Sequence, residues 1–222
     1  MKPAGSADAA GFVLAGGRSS RMGTDKALIR FAGEPLAARA LRLLRDAGLT
    51  ASIAGARSEL RAFAPVLEDP EPDQGPLGGI CAALGSTSSL RALFLSIDLP
   101  LLPVSLLDYL LRHAQLAGNA VTLASVNGFP QTFPVVLRRD LLPVLDGELR
   151  EGRRGCFAAF RAAAAQAGEE VSVLPVELLA QPGQVSHPAG LPPFAWFLNV
   201  NTAEELDRAE TLARIPLRKL EE

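Results

Sequence analysis

The sequence predicts an α/β fold, a three-layer αβα sandwich built on a mostly parallel, Rossmann-like sheet. Three observations carry this. Short apolar runs alternate with amphipathic stretches along most of the 222 residues, the pattern of repeated strand–helix–strand units. The run Arg91 to Ile97 is apolar at nearly every position, as expected of a central strand covered on both faces. No internal repeat and no linker divides the chain, so one domain is expected over residues 11–222 after a disordered tail over residues 1–10.

Taken in order, Gly11 to Ala15 (GFVLA) is the first strand. Leu36, Ala40, Leu43, Leu44 and Ala47 recur at helical spacing with Arg39, Arg42, Arg45 and Asp46 off the stripe, and Gly48 supplies the stop. Thr50 to Ala54 and Val66-Leu67 are the second and third strands, and Leu77 to Leu84 is a helix after the Gly75-Pro76 turn. Arg91 to Ile97 is followed by a helix over Val104 to His113, then by strands over Ala120 to Val126 and Phe133 to Leu137. Leu141-Leu142 and the Ala-rich stretch Gly155 to Ala167 read as helical, Val171 to Leu174 as a strand, and Trp196 to Val200 as the last strand. Thr202 with Glu205 three residues on forms a capping box for a final helix whose Leu206, Ala209 and Leu212 face the core. Gln181 to Pro193 is a Pro/Gly-rich loop, either an idle insertion or a lid.

Composition narrows the function. With 48% hydrophobic and 21% charged residues the chain is an ordinary globule. A net charge of −2 lacks the electrostatic footprint of a nucleic-acid binder. No apolar run approaches the roughly 20 residues that span a bilayer, and Met1 to Ala10 lacks a signal-type apolar stretch. A cytoplasmic enzyme, without nucleic-acid or membrane partners, is the expectation. Cys81 and Cys156 are too few for a disulfide framework or a zinc cluster and read as small core residues. Lys2, Lys26 and Lys219 are the only lysines among 22 basic residues. Lys26 is thus the one lysine in the body of a chain that otherwise uses arginine for positive charge.

In such sheets ligands bind at the carboxyl ends of the strands. Directly after the first strand comes LAGGRSSRMGTDKAL, Leu14 to Leu28. Gly16, Gly17 and Gly23 let the backbone approach a ligand and turn its N–H groups toward an anion. Arg18, Arg21 and Lys26 add cations, and Ser19 and Ser20 add hydroxyls. The loop reads as a phosphate cradle, against the plainer reading of a glycine-rich turn with exposed arginines. It is neither GxGxxG nor GxxxxGK[ST], which argues against a dinucleotide dehydrogenase and a P-loop NTPase.

Other candidates stand at later strand ends. Asp98 follows the buried strand and precedes Leu99-Pro100; a carboxylate there suits magnesium bound together with phosphate oxygens, while an Asp in a turn also serves as a helix cap. Asp69 occupies a similar place, although Asp-Pro is also a common turn starter. Asn199 and Asn201 alternate across Val200 and so share one side of the expected last strand, a polar pair that suggests contacts to the acceptor or to magnesium-bound water; both residues also suit a turn before the Thr202 cap. Arg153 and Arg154, between Gly152 and Gly155, suit either an acceptor phosphate or a solvated helix start. His113 and His187 receive no role.

The Leu14 to Ala27 segment resembles the signature loop of molybdenum cofactor guanylyltransferases, within the wider group of glycosyltransferase-A-like nucleotidyltransferases. It matches every fixed position of their pattern LAGGxSxRMGxDKA. Further similar segments follow in the same order: EDPEPDQGPLGGI (Glu68 to Ile80), FLSIDLPLLP (Phe94 to Pro103), QTFPVVL (Gln131 to Leu137), EGRRG (Glu151 to Gly155) and FLNVNTAEEL (Phe197 to Leu206). The resemblance covers about residues 11–213.

The resemblance implies that the backbone of Leu14, Ala15, Gly16 and Gly17 holds a guanine nucleotide. It implies that Lys26 contacts the phosphates and that Asp69 and Asp98 lie at the nucleotide and magnesium site. It places Gly75 to Gly79 against the base, with Gly78 where relatives usually carry Ala. Ala54 stands where relatives can carry an Asn that contacts the nucleotide, so any side-chain bond from that position is lost. The implied reaction is transfer of GMP from GTP to the phosphate of molybdopterin, with release of pyrophosphate. An acceptor phosphate is already ionised near neutral pH, so the expected catalysis is positioning and charge neutralisation. Arg21 would hold the leaving pyrophosphate, Lys26 the α-phosphate, and Asp98 the magnesium. Alternatives are use of CTP, a sugar- or alcohol-phosphate acceptor, or a non-catalytic nucleotide-binding module. Transient contacts with other proteins of molybdenum cofactor synthesis go with the family reading.

Overall fold

The computed structural model describes residues 8–15, 25–55, 58–67 and 74–214. Its centre is a seven-stranded sheet. The strands are β1 (Ala9–Leu14), β4 (Thr50–Ala54), β5 (Val66–Leu67), β6 (Arg91–Ser96), β7 (Val121–Val126), β8 (Phe129–Arg138) and β9 (Ser172–Pro175). They lie side by side in the order β5-β4-β1-β6-β8-β7-β9. Only β8 runs against the others among the described residues, pairing Phe94 with Val135 on one side and Leu123 with Val135 on the other. A two-stranded ribbon, β2 (Arg30–Phe31) with β3 (Glu34–Pro35), follows the first loop.

Side-chain alternation along the strands fills two cores, one on each face. Phe12, Leu14, Phe94, Leu123 and Val135 pack beneath α2 (Gly75–Ser86), α4 (Leu142–Arg150) and α5 (Cys156–Gln166). Val13, Ile53, Leu93, Leu95 and Val136 pack beneath α1 (Leu36–Asp46) and α3 (Val104–Ala117). The same face receives α6 (Val176–Ala180), α7 (Pro193–Trp196) and α8 (Ala203–Arg214). Helix α1 buries Leu36, Ala37, Ala40, Leu41, Leu43 and Leu44, and it stops where Gly48 takes φ +79°, as a left-handed helix end favours glycine. The three-layer α/β expectation therefore holds, and both cysteines are buried and outside any disulfide. No described helix is long and apolar enough to cross a membrane.

Several boundaries differ from the sequence reading. β1 begins at Ala9, and Ala9 and Ala10 are buried, so these two residues do not belong to the tail expected over residues 1–10; residues 1–7 lie outside the described residues. β8 starts at Phe129, because Asn127 (φ +51°) and Gly128 (φ +79°) make a two-residue hairpin turn after β7, the conformation that Asn-Gly favours. The expected last strand is not a strand. Pro192-Pro193 starts one helical turn, and Val200 joins the sheet edge through a single bond from its N–H to the Asp98 carbonyl at 2.9 Å. The capping box is present: Glu205 N donates to Thr202 Oγ1 at 3.1 Å and Thr202 N to Glu205 Oε2 at 3.1 Å.

The Pro/Gly-rich loop is tied down. Ser105 Oγ, at the start of α3, donates to Ser186 O at 2.7 Å. Val185 and Leu191 are buried, His187 stacks on Trp196, and Trp196 Nε1 donates to Leu191 O at 2.7 Å.

Candidate active site

The carboxyl ends of β1, β4 and β5 form one continuous floor. Ala15 N donates to Ala54 O at 3.1 Å, and Gly55 N to Leu67 O at 3.0 Å, so the ladder continues past the last paired residues. Leu14, Ala15 and Ala54 are buried here. Helix α2 brings its amino end against this floor through glycine. A Cβ at Gly79 would lie 3.5 Å from Leu14 Cδ2 and 3.6 Å from Ala54 O, ordinary van der Waals distances. Gly78 and Gly79 are both buried, and Gln74 at the helix start offers no side-chain cap. The first backbone N–H groups of a helix have no partner within it, so this end presents donors and a positive dipole to the edge where β1 and β4 finish.

The second half of the site begins on the neighbouring strand. Leu14 pairs with Ser96, the last residue of β6. Ser96 Oγ donates to Asp98 Oδ1, fixing a carboxylate in the turn where β6 gives way to Leu99-Pro100. Buried Leu99, Leu101 and Leu102 anchor this turn, and Arg39 Nε of α1 donates to Pro100 O at 2.5 Å.

Lys26 reaches the same carboxylate from the other side. It sits in a single 3₁₀ turn, Lys26–Leu28, started by Asp25, whose Oδ1 accepts from Ala27 N at 3.0 Å. Its Nζ donates to Asp98 Oδ2 at 3.0 Å and to Asn201 Oδ1 at 2.5 Å. Lys26 is only 9% exposed, so the isolated lysine of the sequence is an interior residue paired with a carboxylate. An ammonium carries three donors; among the described residues these bonds take two of them.

The structure thus brings together Leu14, Ala15, Lys26, Gly78, Gly79, Asp98 and Asn201. Arg153 stands apart. The loop from α4 to α5 does lie at the ligand edge, since β8 ends against the start of β6 and α4 climbs from there. Yet Arg153 forms a fork on Glu148, with Nε–Oε2 and Nη2–Oε1 both at 2.6 Å, and also pairs with Glu151. Hydrogen bonding to Glu148, then to Glu151, raises the pKa of Arg153 further. Arg154 is exposed on the same loop. Asn199 is also exposed; residues 197–201 are not a strand, and of the two asparagines it is Asn201 that meets Lys26. Gly16, Gly17, Arg21 and Asp69 lie outside the described residues.

The sequence reading missed the position of Ser96, although a hydroxyl ending an otherwise apolar strand (RALFLS) is a signal. It took Glu205 only as a cap. Its carboxylate also accepts from Asn201 N at 2.6 Å, a contact no spacing rule announces.

Residues 11–171 match the family model of the MobA-like NTP transferase domain. A molybdenum cofactor guanylyltransferase of Xanthomonas euvesicatoria pv. vesicatoria is 43% identical over 107 residues, 47% of this chain and 54% of that protein. A probable molybdenum cofactor guanylyltransferase of Haloferax mediterranei is 31% identical over 207 residues, 89% of this chain and 90% of that protein. Among solved structures, molybdopterin-guanine dinucleotide biosynthesis protein A from Archaeoglobus fulgidus superimposes with a TM-score of 0.70 at 21% identity, covering 91% of this chain and 97% of that one; at that identity the likeness speaks for the fold.

Proposed function

The chain belongs to the MobA-like NTP transferase family, and we propose that it transfers GMP from GTP to the terminal phosphate of molybdopterin. An oxygen of that phosphate forms a bond to the α-phosphorus of GTP. The bond from the α-phosphorus to the bridging oxygen breaks, and pyrophosphate leaves with that oxygen. The product is molybdopterin guanine dinucleotide.

The observation that carries this reading is the ion pair of buried Lys26 with half-buried Asp98, at the strand ends against which α2 packs. In our reading the backbone of Leu14, Ala15, Gly16 and Gly17, with Gly78 and Gly79 on α2, holds the nucleotide. The third N–H of Lys26 stabilises charge that develops on the α-phosphate. Arg21 holds the departing pyrophosphate, and Asp69 adds a carboxylate near the nucleotide. No general base is required of the protein, because the acceptor phosphate is already ionised. The work left is alignment and neutralisation.

Asp98 suits magnesium. It is a carboxylate held from below by Ser96, and magnesium takes one or two carboxylates together with phosphate oxygens and water. When bound, magnesium supplies positive charge to the phosphates of the nucleotide. Asn199, Asn201, Arg153 and Arg154 form the acceptor side of the proposal; Arg153 would have to leave Glu148 and Glu151 to hold a phosphate. A cytoplasmic location goes with this reading, since nucleoside triphosphates are held inside cells, as do transient contacts with other proteins of molybdenum cofactor synthesis.

The test is pyrophosphate release with molybdopterin and magnesium, run with GTP and CTP in turn. Release with GTP at least about tenfold above CTP is expected, roughly the discrimination that pocket contacts of 1–3 kcal/mol provide. Equal use of both nucleotides would remove the guanylyl assignment, and binding of GTP with no release would favour a non-catalytic module.

A further inference from the structure

Two carboxylates of α8, Glu205 and Glu210, hold backbone on either side of the Lys26 side chain, and neither takes part in the reaction as drawn above. Glu205 completes a capping box with Thr202. Helix capping accounts for that exchange, but it does not account for the shorter bond that Glu205 Oε2 accepts from Asn201 N at 2.6 Å. One residue earlier, Val200 N donates to Asp98 O at 2.9 Å. Residues 200 and 201 are therefore clamped from two directions, by the turn that holds Asp98 and by the first turn of α8. From that fixed backbone Asn201 Oδ1 reaches Lys26 Nζ at 2.5 Å. Glu210 repeats the grip on the other side of Lys26: its Oε1 accepts from Ala32 N at 2.8 Å, at the tip of the β2–β3 ribbon where Ala32 takes φ +49°.

A lysine stem is long and flexible, and its ammonium takes its direction from whatever it bonds. Here two acceptors on separate elements fix two of the three N–H directions and so fix the third. Asp98 supplies one of them and is itself held by Ser96. Asn201 supplies the other, and its place depends on Glu205. We propose that Glu205 is a positioning residue for the transfer: by holding the Asn201 backbone it sets the Oδ1 that aims Lys26 at the phosphates. The proposal rests on the reading of Lys26 given under the proposed function.

The test compares variants of the full chain by melting temperature, GTP affinity without acceptor, and kcat for pyrophosphate release with GTP and molybdopterin. Thr202→Ala removes the cap but leaves the Glu205–Asn201 bond. It should lower the melting temperature with kcat little changed. Glu205→Ala should lower kcat roughly tenfold or more, since a displacement of about 1 Å can cost up to a hundredfold. Glu205→Gln, whose amide oxygen still accepts from Asn201 N–H, should recover most of it. Asn201→Ala keeps the cap and loses only Oδ1; it should lower kcat by a similar factor at unchanged melting temperature, and it serves if Glu205→Ala does not fold. In a Lys26→Ala background the Glu205→Ala loss should largely vanish.

Parallel losses of melting temperature and kcat in Thr202→Ala and Glu205→Ala would reduce Glu205 to a cap and overturn the proposal. So would full kcat in Asn201→Ala, or an undiminished Glu205→Ala loss in the absence of Lys26. A crippled Lys26→Ala beside a fully active Glu205→Ala refutes this proposal alone. A fully active Lys26→Ala refutes the reading beneath it as well.

Discussion

Lys26 and Asp98, 72 residues apart in the chain, meet at 3.0 Å between the turn after the glycine-rich loop and the turn after β6. Their side chains are 11% and 20% exposed, so each is held mainly by protein and each keeps a small face toward solvent. Neither residue lies in the regular part of a long element. Neighbouring apolar packing fixes both turns, and the pair marks the point where the two halves of the sheet's carboxyl edge join.

Lys26→Ala should lower turnover by roughly 10² or more, the scale for loss of one preorganised charge-stabilising donor. GTP affinity should fall with it, since the amine is read as a phosphate contact. Turnover near that of the unaltered protein would return Lys26 to a structural ion pair with Asp98.

Asp98→Asn should separate metal holding from structure. Asparagine keeps the shape: its Oδ1 can accept from Lys26 Nζ, and its amide N–H can donate to Ser96 Oγ, whose hydroxyl now donates to Asp98. It is a far weaker magnesium ligand than a carboxylate. Melting temperature and metal-free GTP binding should stay close to normal while magnesium-dependent turnover collapses. Full turnover with the same magnesium requirement would leave Asp98 a turn residue.

The contrast between these residues and the last segment shows what a sequence can reveal. β1, α1 and β6 were legible because their patterns are local: an apolar run, a helical stripe closed by Gly48, a run buried on both faces. The Lys26 loop was legible because a glycine-rich cationic segment after a first strand has few structural uses. The segment Trp196 to Val200 misled because Trp, Phe and Val favour strands, while Pro192-Pro193 turned the chain into a helical start and a single bond to Asp98 replaced a ladder. The β7–β8 hairpin did carry a local signal in Asn127-Gly128 that went unread. The Glu205–Asn201–Lys26 chain carried none, because it joins elements 175 residues apart.

Gly11→Ala should destabilise the fold. A Cβ there would lie 3.2 Å from Leu44 Cβ, Cδ1 and Cδ2. Leu44 is 0% exposed and has no room to withdraw, so β1 and α1 would be forced apart. Overpacking of this kind costs about 1–3 kcal/mol. Urea unfolding measures it, and a variant as stable as the parent would mean that α1 can shift freely over β1.

Cys156 should be inert in the folded protein. Burial pushes its thiol up to about 11 from 9.0, with its own backbone bond opposing. Near pH 8 only about one thiol in a thousand would be the reactive thiolate. A disulfide reagent should modify the native protein at least about 100-fold more slowly than the urea-unfolded chain. The raised value also means that this residue's contribution to stability is complete below about 9 and is lost as pH rises through about 11. Rapid native labelling at Cys156 would contradict its burial at the start of α5.

His187 should make the fold weaken in mild acid. Burial first, and then the positive charge of Arg39, hold its pKa below 6.5, against a backbone bond to Leu101 that acts the other way. Its Nδ1 accepts from Ala189 N at 3.1 Å, which requires that nitrogen to be unprotonated. The ring stacks on Trp196, whose indole N–H closes the same loop onto Leu191 O. The unfolded chain therefore takes up a proton at His187 more readily than the folded one. Its stabilising contribution is fully present above 6.5 and is lost as pH falls from there through the depressed folded value. Protonation would also remove the Ala189 bond and place a second cation near Arg39. The melting temperature of the parent should accordingly drop between about pH 7.5 and 5.5, and His187→Gln should show a smaller drop over the same interval. An equal drop in both proteins would assign the acid sensitivity to other groups and leave His187 as neutral packing against Trp196.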